Sequence, residues 1–269
     1  AEYMGDSSSN TMLIFNRRIF PFRCLALYFI SNSRTKSPLV TIVSSSLAAN
    51  RSSMSKPRLK GVVFDMDGTL TVPAIDFPAM YTAVLGREEY LRIKSQNPSG
   101  IDILHIIENW SSDKKNNAYE VIADYERQGL ERLQIMPGAA ELCGFLDSRN
   151  IRRGLITRNV KGAVDVFHQR FGMNFSPALS REFRPCKPYP EPLLHIFSVW
   201  GFQPGEVMMV GDSLKDDVAC GKQAGAFTCL LDEQGHYNSN HFQALNLSPD
   251  FMVSSLADVR TLVEKYFDF

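Results

Sequence analysis

The sequence predicts an α/β fold: a doubly wound parallel sheet with a small α-helical block inserted just after its first strand. Three observations carry this. Beyond Pro137-Gly138, short runs rich in Val, Ile, Leu and Phe alternate with amphipathic stretches, the pattern of a parallel sheet covered on both faces. Right-handed crossovers between such strands give a doubly wound sheet. Residues 76–135 differ in kind, being helical in pattern and free of strand-like runs.

Residues 59–65 read as the first strand, since β-branched and aromatic residues in a short apolar run favour one. In the inserted block, "SSDKKNNAYEVIADYERQGLERL" reads as one long amphipathic helix. Tyr119, Ile122, Ala123, Tyr125 and Leu130 are its expected packing residues. Ser111 or Ser112 suits its cap, and Asn97-Pro98-Ser99-Gly100 breaks the block earlier. Then follow helix 138–150, strand "RRGLIT", helix 160–171, a short strand near 178 and helix 190–200. Strand "EVMMVGD", helix 216–224, strand "FTCLL", a last strand near "DFMV" and helix 255–266 complete the order. The expected division is core 58–75 and 136–269, with 76–135 as the insertion.

The chain has 269 residues and a formal net charge of zero, but the charge is unevenly spread. Residues 1–60 hold nine bases and only two acids, Glu2 and Asp6; the rest holds 20 bases and 27 acids. A mildly acidic body argues against a general nucleic-acid binder. The basic, serine-rich, acid-poor start has the composition of an organelle transit peptide, with chloroplast preferred to mitochondrion because serine outweighs arginine. Its apolar run "IFPFRCLALYFI" is twelve residues long and interrupted by Pro21 and Arg23, too short for a membrane span. Met54 is an alternative start that gives a cytosolic product. Residues 1–57 are therefore expected outside the fold. Five cysteines, an odd number without CxxC spacing, suggest a reducing compartment.

Function is written at strand ends. "GVVFDMDGT" sets two acids, Asp65 and Asp67, at alternate positions after a buried run. Residues i and i+2 of an extended chain face the same way, so both carboxylates lean toward one point, where their repulsion requires a cation, a proton or water. "GLIT" ends in Thr157, "MMVGD" in Asp212 with Asp216 and Asp217 following, and the loop "RPCKPYPEP" carries Lys187. Ligands of parallel sheets bind at the carboxyl ends of the strands. Several carboxylates near one point suit a hard cation such as Mg2+, and a lysine and a hydroxyl facing the same point suit a phosphoryl group.

"DMDGT", "LIT", the lysine of "KPYP" and "GDSLKDD", in that order over about residues 60–232, resemble the four motifs of the haloacid dehalogenase (HAD) superfamily of phosphohydrolases. The chain is most similar to capped, phosphoglycolate-phosphatase-like and phosphomutase-like members. The resemblance implies a Rossmann-like core, a helical cap at 76–135 and Mg2+-dependent hydrolysis of a small phosphorylated metabolite such as phosphoglycolate or a sugar phosphate. It also implies roles. Asp65 attacks phosphorus and forms an aspartyl-phosphate, and Asp67 is the general acid and base. Mg2+ is held by Asp65, the Asp67 carbonyl and Asp212, and Thr157 and Lys187 grip phosphoryl oxygens. Gly68 lets the chain turn and brings backbone N–H groups to the phosphate. Arg158 and Asn159 are candidates to reach the substrate.

The acid after Asp212 is open: the "GDSxxD" spelling favours Asp216, while helix register counted back from Ala224-Gly225 favours Asp217. Both are taken as metal candidates, with Asp216 preferred. Two other functions are considered: a phosphomutase acting on a sugar phosphate, and a catalytically idle HAD fold used for binding or regulation. A dehalogenase is disfavoured, because displacing halide needs no acid such as Asp67.

Overall fold

The structure is a computed structural model that describes residues 40–43, 55–97 and 101–269. Seven strands form one sheet: β1 (Thr41–Ile42), β2 (Gly61–Phe64), β3 (Arg152–Ile156), β4 (Ala178–Leu179), β5 (Val207–Gly211), β6 (Phe227–Leu231) and β7 (Phe251–Val253). Their order is β1-β7-β6-β5-β2-β3-β4, and every pairing is parallel except β1 with β7. The α/β expectation holds.

The sheet is covered on both faces, and single strands show it residue by residue. Val62 and Phe64 join one apolar cluster with Met208, Val210 and Leu155. Val63 joins the other, with Met209, Ile156 and Trp200. That is the period-two alternation of a strand buried on both sides. Trp200 lies flat against β2 and β3: a Cβ on Gly61 would stand 2.4 Å from its ring, and one on Gly154 3.1 Å. Its indole N–H donates to the Ser176 carbonyl at 2.9 Å.

Between β2 and β3 the chain forms α1 (Phe77–Leu85), α2 (Arg87–Gln96), α3 (Ile103–Glu108) and α4 (Ser112–Glu131), then α5 (Ala139–Ser148). Of these, α1, α3 and α4 build a small core of their own from Met80, Ile103, Ile107, Ala118 and Ile122. Pro78 opens α1 behind the cap Asp76, whose carboxylate accepts from the Ala79 N–H; proline is tolerated there because that N–H has no helical partner. The expected packing face of α4 is one residue out in part. Tyr119 and Ala123 are exposed, whereas Ala118, Ile122 and Gly129 are buried. A stripe with spacings of four and seven selects those three, and the aromatic bulk of Tyr119 disguised it.

The remaining helices are α6 (Lys161–Phe171), α7 (Glu191–Trp200), α8 (Ala219–Ala224), α9 (Ser239–Leu245) and α10 (Leu256–Tyr266). The helix expected over 216–224 is in fact α8 preceded by a wide π-helical turn, Leu214–Val218. The exclusion of residues 1–57 from the fold is too broad. Thr41 and Ile42 pair with Met252 and Phe251, and the Val43 N–H donates to the Asp250 carbonyl at 3.0 Å. The β-branched run "VTIV" is a good strand former, a signal hidden by the basic, serine-rich composition around it. The rest of the expected targeting segment lies outside the described residues, apart from residues 55–57.

Candidate active site

Chain order on the sheet fixes where the site lies. From β2 the chain winds outward through β3 and β4, then returns to β5 on the other side of β2. Side-by-side strands that wind in opposite directions leave a crevice beyond their carboxyl ends. Asp65 follows β2, Asp212 follows β5 and Thr157 follows β3. The Asp65 N–H still donates to the Val210 carbonyl at 2.9 Å, so the extended conformation runs one residue beyond Phe64. After it the chain turns sharply. The Met66 carbonyl accepts from Leu70, Thr71 and the Thr71 hydroxyl, and Gly68 takes φ 85°.

Asp65, Asp212 and Asp217 each offer a carboxylate oxygen, and these three lie within 4.8 Å of one another. Lys187, on the loop before α7 and 3% exposed, bridges two of them, with its Nζ 2.6 Å from Asp65 Oδ1 and 2.6 Å from Asp217 Oδ1. Asp217 is fixed further by the Ser213 N–H, which donates to its Oδ2 at 3.0 Å. The site is crowded at its glycines too: a Cβ on Gly211 would fall 2.1 Å from the Asp217 carboxyl carbon.

Charge crowding shows in the proton affinities. Burial pushes the Asp212 carboxyl up to about 8, with Asp65 and Asp217 adding to it. Burial likewise pushes Asp217 up to about 7, against the pull of Lys187. Burial also raises Asp65, again opposed by Lys187. For Lys187 burial acts downward, but Asp217 and Asp65 outweigh it and hold the ammonium above its ordinary range. Three oxygen donors that repel one another and hold protons too tightly are the donor chemistry a hard divalent cation satisfies. These residues therefore fit Mg2+.

Asp67 sits outside that cluster. Its Oδ2 accepts from the Asn159 amide at 3.1 Å, and Asn159 is itself oriented by the Val160 N–H, which donates to its Oδ1 at 2.8 Å. Burial raises the Asp67 carboxyl, while the Asn159 bond opposes the rise. Thr157 Oγ1 accepts from the Asn159 N–H at 3.0 Å.

Several expected roles shift in this geometry. Asp217, not the preferred Asp216, stands in the carboxylate cluster; Asp216 faces Arg158, 3.4 Å from its guanidinium. The wide turn at 214–218 separates the two acids in a way the motif spelling does not report. The Gly68 N–H itself is taken, donating to the Thr71 carbonyl at 2.9 Å. The lack of a side chain at Gly68 matters instead: a Cβ there would be 2.4 Å from Asp212 Oδ2. Arg158 is held by Asp102, both of whose oxygens accept from its Nη2 at 2.9 Å, and Asn159 serves Asp67.

Sequence reasoning missed Asp102, Glu126 and Arg181. Glu126 on α4 pairs with Arg181, which follows β4, at 2.6 Å, and all three line the same cavity, of about 300 Å³, as the carboxylates. No local spelling marks pairs that meet across 55 residues of chain.

Gly68→Ala is expected to destabilise the fold by about 1–2 kcal/mol through its positive φ and to weaken Mg2+ binding by displacing Asp212. Urea unfolding and isothermal titration with Mg2+ measure the two effects; wild-type values in both would show that the clearance is immaterial.

Comparison with known proteins decides the family. The model of the haloacid dehalogenase-like hydrolases matches residues 59–225. The chain belongs to the haloacid dehalogenase-like hydrolase family. A HAD-like hydrolase domain-containing protein of Arabidopsis thaliana is 68% identical over 220 residues, covering 82% of this chain and 90% of the relative. A phosphoglycolate phosphatase of Nitrosococcus oceani is 25% identical, covering 76% and 96%. Among solved structures, a HAD hydrolase of Entamoeba histolytica matches with TM-score 0.60 at 20% identity, covering 77% of this chain and 98% of that one. The HAD hydrolase YfnB of Bacillus subtilis, solved bound to magnesium, matches with TM-score 0.53 at 19% identity, covering 77% and 99%. With this family and phosphatases among its relatives, the enzyme is a HAD-family phosphatase.

Proposed function

We propose that the enzyme hydrolyses a small phosphomonoester with Mg2+ through an aspartyl-phosphate on Asp65, its core being 58–75 and 136–269 and its cap 76–135. The observation that carries this is the division of labour between two neighbouring acids: Asp65 beside Lys187 in the carboxylate cluster, and Asp67 apart from it on Asn159. Asp65 attacks phosphorus while the bond from phosphorus to the alcohol oxygen breaks. Asp67, whose carboxyl is raised by burial toward the protonated form, gives its proton to that oxygen. Asp67 then takes a proton from a water that attacks the same phosphorus, the bond to Asp65 breaks, and orthophosphate leaves. Lys187 and Thr157 hold phosphoryl oxygens through both displacements. Mg2+ held by Asp65, Asp212 and the Asp67 carbonyl, with Asp217 in support, supplies positive charge that offsets the repulsion between carboxylates and phosphate.

The test is orthophosphate release from a panel of phosphomonoesters with and without Mg2+. Release that needs Mg2+ and yields a phosphorylated protein on acid quench supports the reading. A turnover that leaves no phosphoprotein and survives chelation overturns it.

Metal binding should depend on pH in a defined direction. Asp212 and Asp217 are raised to about 8 and about 7, so the metal-free fold binds protons more tightly than the unfolded chain. Its stability is then greatest below the unfolded carboxyl range and falls as pH rises through 7 and 8. Mg2+ replaces those protons. The rise in melting temperature on adding Mg2+ should therefore be larger at pH 8 than at pH 6; the reverse order would contradict these proton affinities.

The composition of residues 1–60 supports import into an organelle, the chloroplast before the mitochondrion, with a cytosolic form if translation starts at Met54. The participation of Thr41 and Ile42 in the sheet favours a cut upstream of them. A fluorescent fusion of the full chain, compared with one starting at Met54, tests this. No helix among the described residues is long and apolar enough to cross a membrane.

A further inference from the structure

The cavity between core and cap is lopsided in charge. Among the described residues that line it, seven carboxylates face three cations, Arg158, Arg181 and Lys187. Each cation is already engaged. Lys187 bridges Asp65 and Asp217. Arg158 holds Asp102 and approaches Asp216. Arg181 grips Glu126 through both guanidinium ends, at 2.6 and 3.3 Å. One divalent cation and one protonated Asp67 still leave the cavity without positive charge to spare. The cap side is otherwise largely apolar, with Ile75, Phe77, Met80, Ile103, Leu104 and Ile122, and a further polar side chain there, Tyr81, donates its hydroxyl to the Ile101 carbonyl at 3.3 Å. Its volume, about 300 Å³, lies at the small end of ligand pockets and is shared with the phosphoryl group.

We infer that the substrate is the phosphate monoester of a small uncharged alcohol with an apolar face, and that the Glu126–Arg181 pair excludes a leaving group bearing a carboxylate or second phosphate. This rests on the phosphatase reading above and narrows it. A second anion would enter a net-negative cavity and find every arginine occupied, so it would be desolvated without a partner. Phosphoglycolate and bisphosphates are thereby disfavoured, and with them a mutase cycle that must hold a bisphosphate. An uncharged alcohol pays no such cost and gains from contact with the apolar side chains.

The experiment compares kcat/KM for size-matched pairs on the full chain with Mg2+: ethyl phosphate against phosphoglycolate, and glycerol phosphate against phosphoglycerate. The uncharged member of each pair should be preferred by at least about tenfold. Glu126→Gln frees Arg181 and should shrink that preference about fivefold or more, and Glu126→Gln/Arg181→Gln should restore it. Because the readout is a ratio within one preparation, partial unfolding does not alter it. Preference for the anionic members, or a ratio that Glu126→Gln leaves unmoved, overturns the inference. Hydrolysis of p-nitrophenyl phosphate that is lost in Asp65→Asn reports separately on the phosphatase reading; no hydrolysis of any ester overturns both.

Discussion

Asp65→Asn is expected to lower kcat by about 10³-fold or more while leaving the protein at least as stable without metal. The two expectations come from the same geometry. The amide is isosteric and can still accept from Lys187, which now stands 2.6 Å from Asp65 Oδ1. It cannot form the acyl-phosphate. Removing this charge also relieves Asp212 and Asp217, both of which Asp65 pushes upward. Steady-state phosphate release and thermal unfolding in chelator measure the two sides. A variant that keeps a tenth of wild-type kcat would end the nucleophile assignment. A variant that unfolds would show instead that the Asp65–Lys187 pair is chiefly structural.

Lys187→Met carries the largest expected cost in stability, about 3–5 kcal/mol near pH 8 without metal, the range for breaking a buried ion pair by removing one partner. Lys187 is the cation between Asp65 and Asp217, and the three residues are 3%, 7% and 1% exposed. Methionine fills similar volume, so the loss is of charge and not of packing. At lower pH the stranded carboxylates can take up protons, and the cost should shrink. Urea midpoints of variant and wild type at pH 6 and pH 8 give both numbers. A cost below 1 kcal/mol at pH 8 would mean that water or rearrangement already screens the cluster. Activity should fall as well, by about 10²-fold, through loss of the charge that the proposed mechanism directs at the phosphoryl oxygens.

How far the sequence could be read depended on the range of each interaction. Strands β2 and β5 were legible because each is buried along its whole length and so reads as an apolar run bounded by turns; β3, β6 and β7 were legible because most of their residues are buried and apolar. Asp65, Asp67 and Asp212 were legible because they stand at the ends of such runs. The choice between Asp216 and Asp217 was not, since it depends on the wide turn at 214–218, and a local change of helical pitch has no spelling. Arg158 and Asn159 were seen as polar residues beside Thr157, yet their partners, Asp102 and Asp67, are 56 and 92 residues away. The strand at Thr41–Ile42 is two residues long and draws its support from β7, across the sheet edge.

By itself, then, the sequence determined the doubly wound sheet, the helical insertion and the set of acids, hydroxyl and lysine brought to one edge. Those are consequences of periodicity and of side chains fixed within a few residues of a strand end. Tertiary structure alone decided which acid completes the cluster, what orients Asp67, and that the arginines of the cavity are already paired with Asp102 and Glu126 of the inserted helical block. Electrostatic pairing acts through space, and its partners are chosen by how the chain packs, not by their order along it.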